Sequence, residues 1–320
     1  MRLKTLKEIR DKNLLSDEQY SRLELLLSKQ IISVYYELRI ILYLGILLFT
    51  TGIGILIYKN IGEIGHLVSI AILLGLTVLC FVYTFRFTPG YTNGKTIPPT
   101  PFFDYIVLLG CLLFISVLGY LQFQYSILDE TLGATTLVTA AFFFFAAYRF
   151  DHLGVLSLAI TALASFWSIS ISPQKWYSGD FFDTANLHNT ALVFGASLAA
   201  IALVLDKKEI KQHFTFAYIN FCSLIFLTGA LTGIFVNYDS YGFYLLALYA
   251  GCALTVYFAN VKKSFLFLLY AFISGYIGTT FFLFDTILKD PGLWFFYLLA
   301  SCGGFIYFII RYKNYFKRTA

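Results

Sequence analysis

Ten apolar stretches, each close to the length needed to cross a bilayer, leave this chain few folds to choose from. They cover residues 38–58, 67–84, 105–123, 132–148, 153–171, 190–205, 214–236, 241–259, 265–284 and 293–310. A helix rises 1.5 Å per residue, so about 20 apolar residues cross about 30 Å of hydrocarbon. The expected fold is an all-α polytopic transmembrane bundle of about ten spans. The fourth and sixth are short, and nine spans with a re-entrant segment is the other count. Composition agrees: 59% of residues are hydrophobic and only 13% charged, against roughly 25% charged in soluble domains.

The basic residues set an expected orientation. With the N-terminus in the cytoplasm, 20 of the 23 Lys and Arg residues fall on the inner side. Only Lys59, Lys175 and Lys289 fall outside. This is the positive-inside pattern, and one span more or fewer would scramble it. Both termini are then cytoplasmic. Trp176 and Trp294 lie at the outer boundary and Trp167 in the outer part of the fifth span, where indole favours the headgroup level.

Two parts follow: residues 1–36 as a cytoplasmic amphipathic helical hairpin, and 37–320 as the transmembrane domain. In the first, Leu3, Leu6 and Ile9 recur at helical spacing. Ser16 with Gln19 then forms a capping box, and Tyr20, Leu23, Leu27 and Ile31 continue an apolar stripe. The stripe packs on its own first helix, lies on the membrane, or docks a protein partner or a second copy. The basic start lacks an apolar core and a small-residue cleavage site, so it does not read as a secretory signal. Nothing points to nucleic acid.

No Asp, Glu, Lys, Arg or His occupies the central part of any span. Ion-coupled carriers usually keep such a residue at mid-membrane, so coupled transport is disfavoured. All six prolines lie in loops; only glycines, at Gly45, Gly52, Gly54, Gly229, Gly233, Gly275, Gly278, Gly303 and Gly304, offer places to interrupt a helix. Gly229 and Gly233 match the small-xxx-small spacing of close-packed helices. Five cysteines, all within apolar runs, read as packing residues. No metal motif, cofactor loop or paired nucleophile is present in the sequence, and no enzymatic activity is expected. The outer cluster Asp180, Asp183 and His188 fits no metal spacing. Among polar residues within spans, Asn220 stands out, because its carboxamide needs partners that Ser and Thr find on their own helix. Arg149 and Asp151, in the turn AYRFD between the fourth and fifth spans, read as the tip of a tight hairpin at the headgroup layer and not as a buried pair.

The passages YYELRIILYLGILLFTTGIGILIYKNIG, LLGCLLFISVLGYLQFQYSI and AAYRFDHLGVLSLAITALASFWSIS together resemble DUF2157, a bacterial family of predicted integral membrane proteins. The likeness rests on Arg39 at the start of the first span, Gln122 or Gln124 with Tyr125 after the third, and the run from Ala146 to Asp151. It covers about the first 170 residues. It implies a bacterial cytoplasmic-membrane setting and brings no activity. It adds Gln122, Gln124 and Arg149 to Asn220 and Asp151 as candidate binding residues.

Three classes of function follow. A non-catalytic membrane component (sensor, scaffold or assembly factor) predicts a dry, close-packed bundle. A small-molecule or lipid-related transporter or facilitator predicts a polar chamber lined by the Gly and Thr positions. A membrane-embedded enzyme predicts Asp180, Asp183 and His188 converging.

Overall fold

The computed structural model describes residues 19–20, 35–125, 132–171, 187–236, 241–287 and 291–312. Of the expected N-terminal hairpin, residues 1–36, only Gln19 and Tyr20, both helical, and Tyr35 and Tyr36, which begin the first long helix, fall among these. The hairpin and its capping box otherwise lie outside the described residues. The chain divides into two compact units, 1–69 and 70–320.

In the first unit, α1 spans Tyr35–Ile64 without a break at Gly45, Gly52 or Gly54. The Thr50 and Thr51 hydroxyls donate to carbonyls one turn back, so neither needs a ligand. Gly65 alone separates α1 from the next helix. Its φ of +79° is open to glycine and costly for a side chain.

The next helix, α2 (His66–Phe87), runs across the unit boundary. The second unit continues with α3 (Phe103–Tyr125), α4 (Leu132–Phe150), α5 (Leu153–Ile171), α6 (Leu187–Lys207), α7 (Gln212–Val236), α8 (Tyr241–Val261), α9 (Phe265–Thr286) and α10 (Pro291–Tyr312). Among the described residues nine helices are long and apolar enough to cross a membrane; the apolar part of α5, Leu153–Ser168, is shorter. The expectation of about ten spans holds. The fourth and sixth, expected to be short, reach span length as Gly133–Phe150 and Leu187–Lys207, and the fifth helix has 19 residues, Leu153–Ile171.

Neighbours in sequence pack as hairpins: α4 with α5, α6 with α7, and α8 with α9. α7 is central, touching α5, α6, α8 and α9. Glycines admit these approaches. A Cβ on Gly229 would meet Ala191 Cβ on α6 at 2.7 Å, whereas one on Gly233 would meet the Tyr244 ring on α8 at 2.3 Å. The two glycines of the small-xxx-small motif therefore serve two different partners. One turn before Gly229, Phe226 sets its backbone against Gly195 of α6 and its ring against Gly251 of α8. α10 lies on α9 through the stacked rings of Phe272 and Phe308, 3.8 Å apart, and a Tyr276–Ser301 hydroxyl pair at 2.8 Å.

Three hairpin turns share one design. Asp151, Glu209 and Lys263 follow α4, α6 and α8 in the left-handed region, with φ of 60°, 56° and 50°. In each, the next residue donates its N–H to the carbonyl five residues back: His152 to Ala147, Ile210 to Leu205 and Ser264 to Ala259. This is the Schellman closure of a helix C-terminus, here without glycine. Because successive spans reverse direction, these turns and the α2–α3 connection share one face of the second unit.

Candidate functional site

The densest polar cluster on that face centres on Asp151. Its side chain is 3% exposed and that of Lys211, 3.1 Å away, 1%. The left-handed turn after α4 directs the carboxylate toward the α6–α7 turn, where Lys211 also has positive φ, 45°. His213 Nε2 lies 2.5 Å from Asp151 Oδ1. The Thr96 backbone N–H donates to Oδ2 at 2.5 Å. The Lys211 ammonium also donates to the Gly94 carbonyl at 3.1 Å and to Thr96 Oγ1 at 3.4 Å, and faces the Tyr91 ring at 5.4 Å. Its backbone N–H donates to Asn93 O at 2.8 Å. All three ammonium protons thus have acceptors, the condition for tolerating a charge away from water.

This overturns the reading of Asp151 as a hairpin tip that takes no part in a buried pair. The residue does sit at a helix end, but the chain between α2 and α3 folds over it and completes a buried pair. Arg149, expected to reach lipid phosphate, instead donates to the Pro89 carbonyl at 3.1 Å. Lys211, His213 and Thr96 escaped sequence reasoning because they stand 55 or more residues from Asp151. The one available signal was a lysine and a histidine flanking Gln212 at the start of a span.

Beneath the cluster lies an aromatic layer. The Tyr148 ring meets Phe214 edge-on at 5.2 Å, and its hydroxyl pairs with that of Tyr218 at 3.0 Å. The adjacent His152 is buried; its Nδ1 accepts the Val155 N–H at 3.0 Å and caps α5. Tyr218→Phe is expected to lower stability by about 0.5–1 kcal/mol, as for one hydroxyl bond between membrane helices. A double-mutant cycle with Tyr148→Phe, read by thermal unfolding, checks it, since the cycle isolates the pair.

Burial pushes the Asp151 carboxyl upward, but the Thr96 amide, Lys211 and His213 outweigh it and hold the group below its ordinary value of 3.8. A carboxylate lowered in the folded state stabilises it above the unfolded pKa, and this contribution disappears as pH falls through the folded pKa. The stability difference between wild type and Asp151→Asn should therefore stay level above about pH 5 and shrink below about pH 4. Thermal unfolding across that range measures it.

The other candidates lie elsewhere. Gln122 is buried and Gln124 exposed, on opposite sides of α3 at the end away from the cluster. Asn220 is two turns down α7 from His213, and its Oδ1 has no hydrogen-bond partner among the described residues. Only Arg149 and Asp151 are brought together. Asp180 and Asp183 lie outside the described residues; His188 turns to α8, with Nε2 2.8 Å from the Tyr244 hydroxyl, which also donates to Asn189 Oδ1 at 2.9 Å. Among the described residues, no three His, Cys, Asp or Glu side chains stand together as metal ligands.

Residues 7–149 match the family described as Predicted membrane protein (DUF2157). The resemblance read from the sequence is borne out over that segment, which ends two residues before Asp151. No curated protein and no solved structure shows significant similarity to the chain.

Proposed function

We propose that this chain, DUF2157-like over residues 7–149, is a non-catalytic component of the bacterial cytoplasmic membrane, a sensor, scaffold or assembly factor with both termini inside. One observation carries the reading. Three of the four glycines in α7 and α9 that could open helices around a substrate are filled by neighbouring side chains, Gly229 by Ala191, Gly233 by Tyr244 and Gly278 by Leu248, whereas Gly45, Gly52 and Gly54 in α1 and Gly303 and Gly304 in α10 face open space. Several threonines bond to their own helix, as Thr139 does to Thr135 O and Thr279 to Gly275 O, and Thr280 pairs with the Tyr297 hydroxyl of α10. Such packing suits a body that holds helices in register, and it leaves a polar path through α7, α8 and α9 little room. The distribution of Lys and Arg supports the orientation.

Native thiols test it. Cys111 is buried, and Cys222 and Cys252 are half-buried. In proteoliposomes of a Cys302→Ser variant, an impermeant methanethiosulfonate should leave these three unmodified until the protein is unfolded. Modification of Cys222 or Cys252 in the folded protein would mean a water-filled path and favour the transporter reading.

A further inference from the structure

The chain between α2 and α3 crosses the ends of two hairpins, and its manner of attachment is unusual. At its start, Thr88 N–H still donates to Thr84 O, continuing the helix. At its end, Thr100 O accepts the Phe103 N–H, and Thr100 Oγ1 pairs with Tyr83 OH at 3.4 Å. Between these two anchors, residues 89–96 are fastened by Arg149, Asp151 and Lys211. Apolar adhesion is slight: Tyr91 is half exposed and touches the latch through the Lys211 ammonium over its ring, and Ile97, just beyond, is 85% exposed. The segment is therefore held largely by polar contacts, to Arg149 at Pro89 and to the Asp151–Lys211 pair at residues 93–96.

We propose that residues 89–96 form a strap, latched by the Asp151 carboxylate and able to lift as one unit while the helices beneath stay packed. Three physical points support it. A buried ion pair adds little net stability, yet losing one partner is costly, so such a pair behaves as a two-position element. Lys211 is neither Gly, Asn nor Asp, and its left-handed backbone is strained and persists only while its contacts hold it. The ends of the strap carry their own hydrogen bonds independent of the latch, which makes Thr88 and Thr100 hinges. The buried aromatic layer of Tyr148, Phe214 and Tyr218 lies below the latch and keeps its contacts when the strap lifts.

Lifting exposes Lys211 and Asp151 together and uncovers the α4–α5 and α6–α7 turns. The strap and Arg149 lie in the segment that matches the family, whereas Asp151, Lys211 and His213 lie beyond it. The latch thus joins the two stretches of sequence. This is a conformational device, and it does not depend on which membrane function the protein serves.

The test uses Asp151→Asn and wild type in nanodiscs, followed by hydrogen exchange with mass spectrometry and by trypsin cleavage at the exposed Lys95. In the variant, exchange at the Thr96 amide and cleavage at Lys95 should each rise at least about tenfold, while peptides from α6 and α7 keep their protection. No change in either readout, or equal loss of protection in α6 and α7, overturns the proposal. Should the variant fail to fold, wild type alone decides. The Thr96 and Lys211 amides exchanging at one common rate, faster than the helices, support the latch; exchange no faster than the helix cores overturns it.

Discussion

Gly195→Val is expected to cost about 3 kcal/mol of stability, the upper end of what overpacking a close-packed core does. A Cβ at Gly195 would stand 2.8 Å from Phe226 Cβ and 3.0 Å from its backbone Cα and N. Backbone cannot rotate aside as a side chain can, so α6 and α7 must separate along their whole contact. Gly278→Ala is the matched control. Its Cβ would meet the terminal Cδ2 of Leu248 at 2.2 Å, a shorter distance but to an atom at the end of a flexible chain. That change should cost under about 1.5 kcal/mol. Unfolding in mixed micelles, monitored by Trp fluorescence, compares the two. Equal costs would mean that side-chain volume, and not the backbone approach of α7, governs this packing.

The second large effect is expected at Tyr244. Its hydroxyl is shared by His188 and Asn189, at 2.8 and 2.9 Å, near the end of the spans opposite the Asp151 cluster. Tyr244→Phe keeps the ring that fills the space above Gly233 and removes only the oxygen. Two polar groups then lose a partner in an interior where water does not replace it, so about 1–2 kcal/mol should be lost. His188→Ala would remove the ring as well, including its edge-on contact with Tyr244 at 5.0 Å. The two changes should be strongly non-additive, because they delete the same bond. Additive losses in a double-mutant cycle would show that the His188–Tyr244 contact contributes nothing of its own.

Helix boundaries were largely legible in the sequence because hydrophobicity alone sets them in a membrane chain. The stretch 153–171 coincides with Leu153–Ile171, and 214–236 lies within Gln212–Val236. The helices extend a few residues beyond most apolar stretches, as at Gln212 and His213, because backbone hydrogen bonding continues past the last apolar side chain. The glycine spacing at 229 and 233 correctly signalled close packing, but it did not reveal that each glycine meets a different helix. Of the five candidate binding residues, Arg149 and Asp151 both fasten the α2–α3 connection, and the burial of Asp151 was misjudged. Local reasoning about Arg149 and Asp151 sees a short polar turn and places it uncovered at the headgroup layer. The loop that covers the turn starts about 60 residues earlier.

Chain order and hydropathy by themselves determined that this is an all-helical membrane protein with about ten spans, since an apolar run of that length has no other way to satisfy its backbone in lipid. Which charges are buried was decided only by tertiary structure. Asp151 and Lys211 lie 60 residues apart in sequence and meet at 3.1 Å because the packed hairpins set their turns side by side and the strap closes over them. No local pattern encodes that meeting, because the pairing energy exists only once the helices have brought both ends to one face.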